Sequence, residues 1–384
     1  MRAFSVVFFL VCLSSLCEAG FSDSYVVNMT GYNPSYVFYS SDSLFVLFQT
    51  YNWGSQPILS KVDPSSGQIV YNLTIPFTRC YPCAPQVNSL QVNENFVILS
   101  VENGTLWELY TVDIVAAQPS ILATYTPDTP GFVRNLLPDG QDSILITETF
   151  SPVSTTSRVV YNSAGTSIVL SPISTPSIPG IEGISYGAVN LTPDMALICG
   201  DLTSSIPPYE NFISFESNSG KVEDAVNGGW GYNCPIISIS TQLQGICTYY
   251  TLSSPPIQRL WCWNYSLYPS LIPPQVTSYD MPGAAFEGVG DDAGNFIGCY
   301  TDTTGSYLVQ YSVNYDQSTY EIVATAAVKQ NYRCASYQFQ KPVMNNRIST
   351  SLQQVANVVS SYDANGFSVY SVLAINYDSS ASSL

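Results

Sequence analysis

Apolar and polar residues alternate in short runs along most of this 384-residue chain, and turn-forming residues separate the runs. One arrangement recurs, in which a strand-like run ends on an apolar residue that an acidic or amide residue follows. The copies are Val62-Asp63, Val112-Asp113, Tyr161-Asn162, Phe215-Glu216, Trp263-Asn264, Val313-Asn314 and Tyr362-Asp363. They are spaced by 50, 49, 54, 48, 50 and 49 residues. This near-constant interval predicts a repeated structural unit.

Each unit contains four strand-like runs. In the second unit they span Val87–Val92, Asn95–Val101, Leu106–Val112 and Ile121–Tyr125. The second run of a unit is the most apolar, which is typical of a strand buried on both faces. Four antiparallel strands in each repeat, without a helical period, indicate a β-propeller blade. We therefore predict an all-β fold, a seven-bladed β-propeller with about 50 residues per blade.

The seventh unit is the least regular. Residues 347–359 also fit a turn of helix, because Leu352, Val355 and Val359 have helical spacing. We nevertheless predict strands there.

A further strand precedes the first unit. Residues 20–33 contain one strand-like run, Tyr25–Met29, and the propeller is expected to occupy residues 34–384. Because the first and last blades of a propeller must be held together, we expect this run to pair with the last blade.

One turn resembles a known type of repeat. The stretch VDPSSGQIVYNLT, residues 62–74, resembles the Asp-x-x-Ser/Thr-Gly turn of the quinoprotein-like and YVTN-type propeller superfamily, and residues 161–170 and 215–224 are looser versions. The resemblance implies that the turn joins the third and fourth strands of a WD40/YVTN-like blade. The Trp that typifies quinone-binding repeats does not follow the turn, so we expect no quinone and no other cofactor.

The start of the chain has the pattern of a secretory signal peptide. Arg2 supplies a positive charge, Phe4–Leu16 an apolar core, and cleavage is expected after Ala19, giving a signal peptide at residues 1–19. The core is shorter than the roughly 20 residues that span a bilayer, and no later run approaches that length. We predict a secreted, extracellular protein without a membrane span.

Five sequons fit an exported glycoprotein. The predicted glycosylation sites are Asn28, Asn72, Asn103, Asn190 and Asn264. Such a short motif arises often by chance in a chain rich in Ser, Thr and Asn, so the prediction depends on the signal peptide as well.

Composition excludes several functions. The chain has a net charge of −17 and a pI of about 4.1. An acidic surface repels phosphate backbones, so nucleic acid is not an expected partner. The sequence has no His, which excludes a Ser-His-Asp triad, a Cys-His pair and His-ligated metals.

Two motifs suggest chemistry but are interpreted as structural. Residues 291–295, DDAGN, resemble a calcium loop in composition, yet they lack the alternating carboxylates and closing Glu of an EF-hand, and we interpret them as a hairpin turn. Trp261 and Trp263 lie on one face of a strand, where they could stack on sugar rings if exposed. Paired Trp on a strand more often pack between blades, and we expect that here.

Three aromatic residues are better candidates for a ligand surface. Trp53, Trp230 and Tyr232 lie in the loop-like stretches TYNWGSQ and GGWGYN. They favour a secreted module that binds an unknown protein or glycan through one propeller face. The alternative is a hydrolase-like enzyme with a carboxylate or metal site in the central channel. That function requires acidic residues on the innermost strands, where Glu287 is the one carboxylate, so we favour binding and name no catalytic residue and no metal ligand.

The cysteines indicate disulfides. Loss of Cys12 and Cys17 with the signal peptide leaves eight, an even number in an oxidising compartment. We predict the pairs Cys199–Cys234, Cys299–Cys334, Cys247–Cys262 and Cys80–Cys83. The first two share a separation of 35 residues and would join neighbouring blades. The third would close a hairpin.

The last pair belongs to the motif RCYPCAP. A redox Cys-x-x-Cys needs a helix N-terminus to lower its thiol pKa. This one has prolines on both sides and lies between two blades, so we interpret it as a local staple of a loop.

Overall fold

The structure is a computed structural model. It describes residues 21–377, except for 41, 80–81, 129, 140–141, 149–153, 173–186, 193–194, 202–209, 217–221, 231–235, 241–244, 254–255, 265–278, 282–284, 291–293, 302–304, 318, 329–331 and 335–347.

The described residues form seven antiparallel sheets, numbered here in chain order. Sheet 1 comprises β2 (Asn33–Ser40), β3 (Ser43–Gln49), β4 (Ile58–Val62) and β5 (Ile69–Thr74). Sheet 2 comprises β6 (Gln86–Val92), β7 (Phe96–Asn103), β8 (Leu106–Asp113) and β9 (Ser120–Tyr125). Sheet 3 comprises β10 (Phe132–Asp139), β11 (Asp142–Glu148), β12 (Ser154–Tyr161) and β13 (Ile168–Pro172). Sheet 4 comprises β14 (Gly187–Thr192), β15 (Met195–Asp201), β16 (Glu210–Glu216) and β17 (Val222–Trp230). Sheet 5 comprises β18 (Ile236–Ser240), β19 (Gly245–Ser253), β20 (Pro256–Asn264) and β21 (Tyr279–Met281). Sheet 6 comprises β22 (Ala285–Gly290), β23 (Asn295–Thr301), β24 (Ser306–Asn314) and β25 (Thr319–Ala327).

Sheet 7 combines the two ends of the described chain. It comprises β1 (Phe21–Val27), β26 (Arg333–Cys334), β27 (Ile348–Ser349), β28 (Gln354–Tyr362) and β29 (Ser368–Tyr377). The short strands β26 and β27 both pair with β28, which pairs with β29, which pairs with β1. The pairing of the N-terminal strand with the last sheet agrees with the expectation from the sequence, although the strand begins and ends earlier than predicted. Residues 348–349 and 354–362 are strands, as predicted.

Sheets that follow one another in the chain lie side by side. The first strand of each sheet from 1 to 6 contacts the first strand of the next sheet, and β2 of sheet 1 also contacts β27, β28 and β29 of sheet 7. The core is therefore divided among the seams between sheets. One hydrophobic cluster fills the seam of sheets 1 and 2, and others fill the seams of sheets 2 and 3, 6 and 7, and 7 and 1.

Strand β3 explains why the second strand of a unit is the most apolar. Phe45 and Leu47 contribute to the cluster shared with sheet 2, whereas Leu44, Val46 and Phe48 contribute to the cluster shared with sheet 7. Successive side chains of a strand point to opposite faces, and here both faces are buried. The prediction of strands buried on both faces is confirmed for β3.

The repeated polar residue caps a turn. In sheet 1, Asp63 follows the third strand and its carboxylate accepts hydrogen bonds from the backbone N–H of Ser65 and from the hydroxyls of Ser65 and Ser66. These bonds, led by the one from the Ser65 backbone, hold the pKa of Asp63 below its ordinary value. Asn162 accepts from the N–H of Thr166 in the same way. In sheets 1 to 6 the 50-residue period thus marks the end of the third strand, where the turn to the fourth strand begins.

The seventh copy of the motif lies elsewhere in its sheet. Asp363 caps the hairpin between β28 and β29, accepting hydrogen bonds from the N–H of Asn365 and Phe367. Because β1 supplies the outer strand of sheet 7, this hairpin joins the second and third strands counted from the inner edge. Its equal spacing therefore does not mark an equivalent position.

The capped turns also lock neighbouring sheets together. A Cβ atom on Gly67, which has a φ of +72°, would lie 2.3 Å from Tyr25 Cδ2 of sheet 7. A Cβ atom on Gly165 would lie 2.9 Å from Phe96 Cδ1 of sheet 2. In both places an aromatic ring of the preceding sheet packs against a turn glycine, which explains the Gly of the Asp-x-x-Ser/Thr-Gly motif.

The seam of sheets 5 and 6 reverses this arrangement. Gly245 begins β19, at the position that Phe96 occupies in β7, and its missing side chain makes room for Tyr315, which follows the third strand of sheet 6. A Cβ atom there would lie 2.3 Å from Tyr315 Cδ1 and Cγ. The ring comes from the turn, and the glycine comes from the preceding sheet.

Candidate ligand-binding face

The connections of each sheet lie at two ends. We call the upper face the end that carries the connection between second and third strands and the connection to the next sheet. The lower face carries the other two connections. Sheets 7 and 1 have their lower ends on the same side. Ser351, in the lower connection between β27 and β28, donates through Oγ to Oδ1 of Asp42, in the lower connection between β2 and β3, at 2.6 Å.

Exposed aromatic side chains concentrate on the upper face of sheets 7 and 1. Among the residues whose burial is described, the four most exposed large hydrophobic side chains are Trp53 at 79%, Tyr51 at 76%, Phe367 at 71% and Tyr362 at 65%. Trp53 and Tyr51 belong to the connection between β3 and β4, residues 50–57, which we call the Trp53 loop. Phe367 and Tyr362 belong to the hairpin between β28 and β29, which we call the Phe367 hairpin.

Hydrogen bonds, two of them to residues that lead into sheet 2, hold the backbone of the Trp53 loop. The N–H of Gly54 donates to the carbonyl of Cys83 at 2.8 Å, and Gln86 Nε2 donates to the carbonyl of Thr50 at 2.8 Å. The N–H of Asn52 donates to Thr50 Oγ1 at 3.2 Å, and Gly54 has a φ of +82°, which Gly adopts without strain. The backbone that carries the exposed rings is therefore held in place.

The connection beneath the Trp53 loop is itself anchored by Glu108. This carboxylate of β8 is fully buried and accepts hydrogen bonds from the N–H of Thr78 at 3.1 Å and from Thr126 Oγ1 at 3.2 Å. Thr78 Oγ1 and the Tyr110 hydroxyl donate to it as well. Burial, and then the bond to Glu108, raises the pKa of Tyr110. Glu108 thus joins the connections on both sides of sheet 2.

The Phe367 hairpin extends beyond its neighbouring strand. Strand β1 pairs with β29 only as far as Val27, which lies opposite Val372, so Ser368–Ser371 continue past its end. The cap at Asp363 fixes the hairpin. Sequence reasoning did not identify Tyr51, Tyr362 or Phe367 as ligand candidates. Tyr51 could have been identified from the sequence, since it lies in the same loop-like stretch as Trp53.

The other predicted aromatic residues are only partly described. Trp230 is the last residue of β17, at the upper end of sheet 4, whereas Tyr232 lies outside the described residues. Trp261 and Trp263 lie opposite Thr248 and Ile246 in the pairing of β20 with β19. Trp53 is therefore the predicted ligand residue whose exposure the structure establishes.

The sequons differ in accessibility. Asn28 and Asn72 are exposed, and Asn103 is half-buried at the upper hairpin of sheet 2. Asn190 lies in β14, the first strand of sheet 4. Asn264 is buried, at 8% exposure, and its Nδ2 donates to Asp316 Oδ1 at 2.7 Å. A glycan must be attached to that nitrogen, so this geometry disfavours Asn264 as an acceptor.

One predicted disulfide is observed directly. Cys299 of β23 is bonded to Cys334 of β26, with Cα atoms 5.7 Å apart, so it joins sheets 6 and 7 as predicted.

The remaining pairs stay predictions. Cys262 is disulfide-bonded and lies opposite Cys247 in the strand pairing. Cys83 is also disulfide-bonded, whereas Cys80 lies outside the described residues, as does Cys234. Cys199 is the fifth residue of β15, the position that Cys299 has in β23.

The carboxylate proposed for channel chemistry, Glu287, lies in β22, the first strand of sheet 6. Asp291 and Asp292 lie outside the described residues. Within the described part of the chain, no group of three or more Cys, Asp or Glu is arranged to hold a metal ion. No helix among these residues is long and apolar enough to cross a bilayer.

Solved structures share this fold. The chain is similar to hydrazine synthase from Kuenenia stuttgartiensis, with a TM-score of 0.52 and 10% identity over 90% of this chain and 96% of that one. It is also similar to the WD40 domain of coronin from Toxoplasma gondii, with a TM-score of 0.50 and 9% identity over 94% and 88%. No protein-family model matches the sequence, and neither does any curated protein. At such identities the likeness concerns the fold alone, which is that of a β-propeller.

Proposed function

We propose that this protein is a secreted glycoprotein, a seven-bladed β-propeller that binds an extracellular ligand through the upper face of sheets 7 and 1. The observation that carries the proposal is the placement of the four most exposed described aromatic side chains on two tips of that one face.

The seven blades are the seven sheets. The chain of contacts between first strands, together with the contacts of β2 with sheet 7, supports a closed ring. The pairing of β1 with β29 joins the two ends of the described chain within one blade. In such a ring the upper tips of adjacent blades form a shared surface, so the Trp53 loop and the Phe367 hairpin can meet one ligand.

Exposure of these rings argues for binding because it is unfavourable in the free protein. Burial of an aromatic side chain removes about 150–250 Å² from water, at roughly 25 cal/mol per Å². Hydrogen bonds hold the backbone of both tips in the conformation that exposes the rings. Rigid exposed aromatic residues are the kind that dominate binding energy at interaction sites.

The test uses protein collected from the medium of a eukaryotic expression host. Intact mass is expected to show the loss of residues 1–19 and added glycans. Binding of the labelled protein to intact cells and extracellular matrix is then compared for wild type, Trp53→Ala, Phe367→Ser and a lower-face control, Val115→Ala. The first two variants should bind less and the control should bind as wild type. Retention of Met1 in cytosolic protein would refute secretion, and equal binding by all variants would refute the upper face.

A further inference from the structure

We propose that the ligand of this face is a neutral oligosaccharide, and that Tyr51 and Trp53 stack against its sugar rings. The inference depends on the proposed function, because it names the ligand class of the same face.

The Trp53 loop combines flat rings with neutral polar groups. Its sequence, TYNWGSQP, contains no carboxylate and no cationic side chain. Asn52, Ser55 and Gln56 supply amide and hydroxyl groups beside the rings. A sugar offers the complementary surface, since its C–H faces pack against the negative face of an aromatic ring and its hydroxyls pair with amides.

Charge narrows the class of sugar. The protein carries a net charge of −17, so a uronic-acid or sulfated glycan meets a repulsive field. The Phe367 hairpin adds to this repulsion, because it carries one carboxylate, Asp363, and no cationic side chain. A neutral glycan avoids this repulsion.

Size separates a glycan from a folded protein partner. A specific protein interface buries at least about 1,000 Å² with a well-packed apolar centre. The Trp53 loop offers two aromatic side chains, each of about 150–250 Å², which is the scale of one or two sugar rings. The Phe367 hairpin offers a second pair on the adjacent sheet. Two separated aromatic platforms on one face suit an extended chain of sugars.

The experiment measures sugar binding by calorimetry and by tryptophan fluorescence, on protein freed enzymatically of its own N-glycans. The probes are di- and hexasaccharides of glucose, mannose and N-acetylglucosamine, with a hexasaccharide that contains glucuronate as the charged comparison. We expect at least one neutral hexasaccharide to bind, and to bind more tightly than its disaccharide. Trp53→Ala should raise the Kd by about tenfold or more, the effect of losing a stacked aromatic contact.

Two matched variants test the role of the ring. Trp53→Phe keeps a flat aromatic face and should retain most of the affinity, whereas Val115→Ala, on the lower face, should leave the Kd unchanged. Phe367→Ser should weaken the hexasaccharide but not the disaccharide.

The proposal is overturned if no neutral hexasaccharide binds, if Trp53→Ala binds as wild type does, or if only the charged probe binds. If sugars fail while Trp53→Ala still loses binding to cells and matrix, the ligand class is wrong and the binding face stands. Capture of a purified extracellular protein through Trp53, without sugar binding, would likewise replace the oligosaccharide by a protein partner.

Discussion

The reversed seam between sheets 5 and 6 makes a specific prediction about Gly245. Substitution of alanine adds a Cβ atom 2.3 Å from two ring atoms of Tyr315, a distance that non-bonded atoms do not adopt. Tyr315 is buried, so the ring cannot move aside without disturbing the seam. Overpacking of this kind costs about 1–3 kcal/mol, and we expect Gly245→Ala to lie at the upper end.

The partner substitution sets the expected coupling. Tyr315→Ala removes a buried ring and should lower the free energy of unfolding by about 3–5 kcal/mol through the cavity it leaves. In the double variant the added methyl meets no ring, so the loss should match that of Tyr315→Ala alone. The two effects are then non-additive by about 2–3 kcal/mol, within the range of directly contacting residues.

The assay is urea unfolding under non-reducing conditions, followed by far-UV circular dichroism. Gly305→Ala is the matched control, because its Cβ atom would lie 3.5 Å from the nearest atom, Tyr307 Oη, and it should change stability by less than about 0.5 kcal/mol. Additivity of the Gly245 and Tyr315 effects would refute the reasoning. So would a neutral Gly245→Ala variant.

Three further predictions concern pH, disulfides and glycosylation. Burial, and then the charge of Asp63, raises the pKa of Tyr25 in the folded protein. The stabilisation that the neutral Tyr25 hydroxyl provides is therefore complete below pH 10.0, the ordinary pKa of Tyr, and is lost as the pH rises above that value. Tyr25→Phe should make the alkaline fall in the free energy of unfolding shallower between pH 8 and 12, and an unchanged slope would contradict this. Replacement of Cys299 and Cys334 by Ser should lower the free energy of unfolding by about 3–4 kcal/mol, because this disulfide closes a loop of 35 residues. Loss of a Cys-x-x-Cys staple, which closes a much shorter loop, should lower it by only about 1.5 kcal/mol. Paired denaturation curves measure both values, and equal losses would refute the dependence on loop length. Peptide mapping should find glycan at Asn28 and an unmodified Asn264, and the reverse occupancy would show that Asn264 is accessible before folding.

The fold was predictable because each repeat depends on residues that are close together in the sequence. A turn that needs an acceptor side chain selects Asp or Asn at one place in a blade, and burial on both faces selects an apolar second strand. Both signals recur at intervals that a single sequence reveals. Their limit appears at Asp363, where the same local chemistry caps a different hairpin. Local signals identify a capped turn but not its place in a sheet.

The candidate site was less predictable, because exposure depends on neighbours distant in sequence. Trp53 was identified from its loop-like surroundings, whereas Phe367 follows an ordinary turn, and the neighbouring strand β1 ends opposite Val372, before it reaches this turn. Asn264 has a complete sequon, yet Asp316 of the next sheet occupies its amide nitrogen. Neither outcome can be obtained from the residues adjacent in the chain.

The pairing of β1 with β29 has a consequence for the order of folding. Phe21 lies opposite Tyr377, which is 356 positions further along the chain. Closing a loop of that length costs about 5 kcal/mol of chain entropy, which no local contact offsets. During synthesis β1 emerges before the strands of sheets 1 to 6, and its partner β29 emerges after them. Its hydrogen-bonding edge must therefore stay unpaired while the other blades form, and the slow step of refolding should be the joining of the two ends.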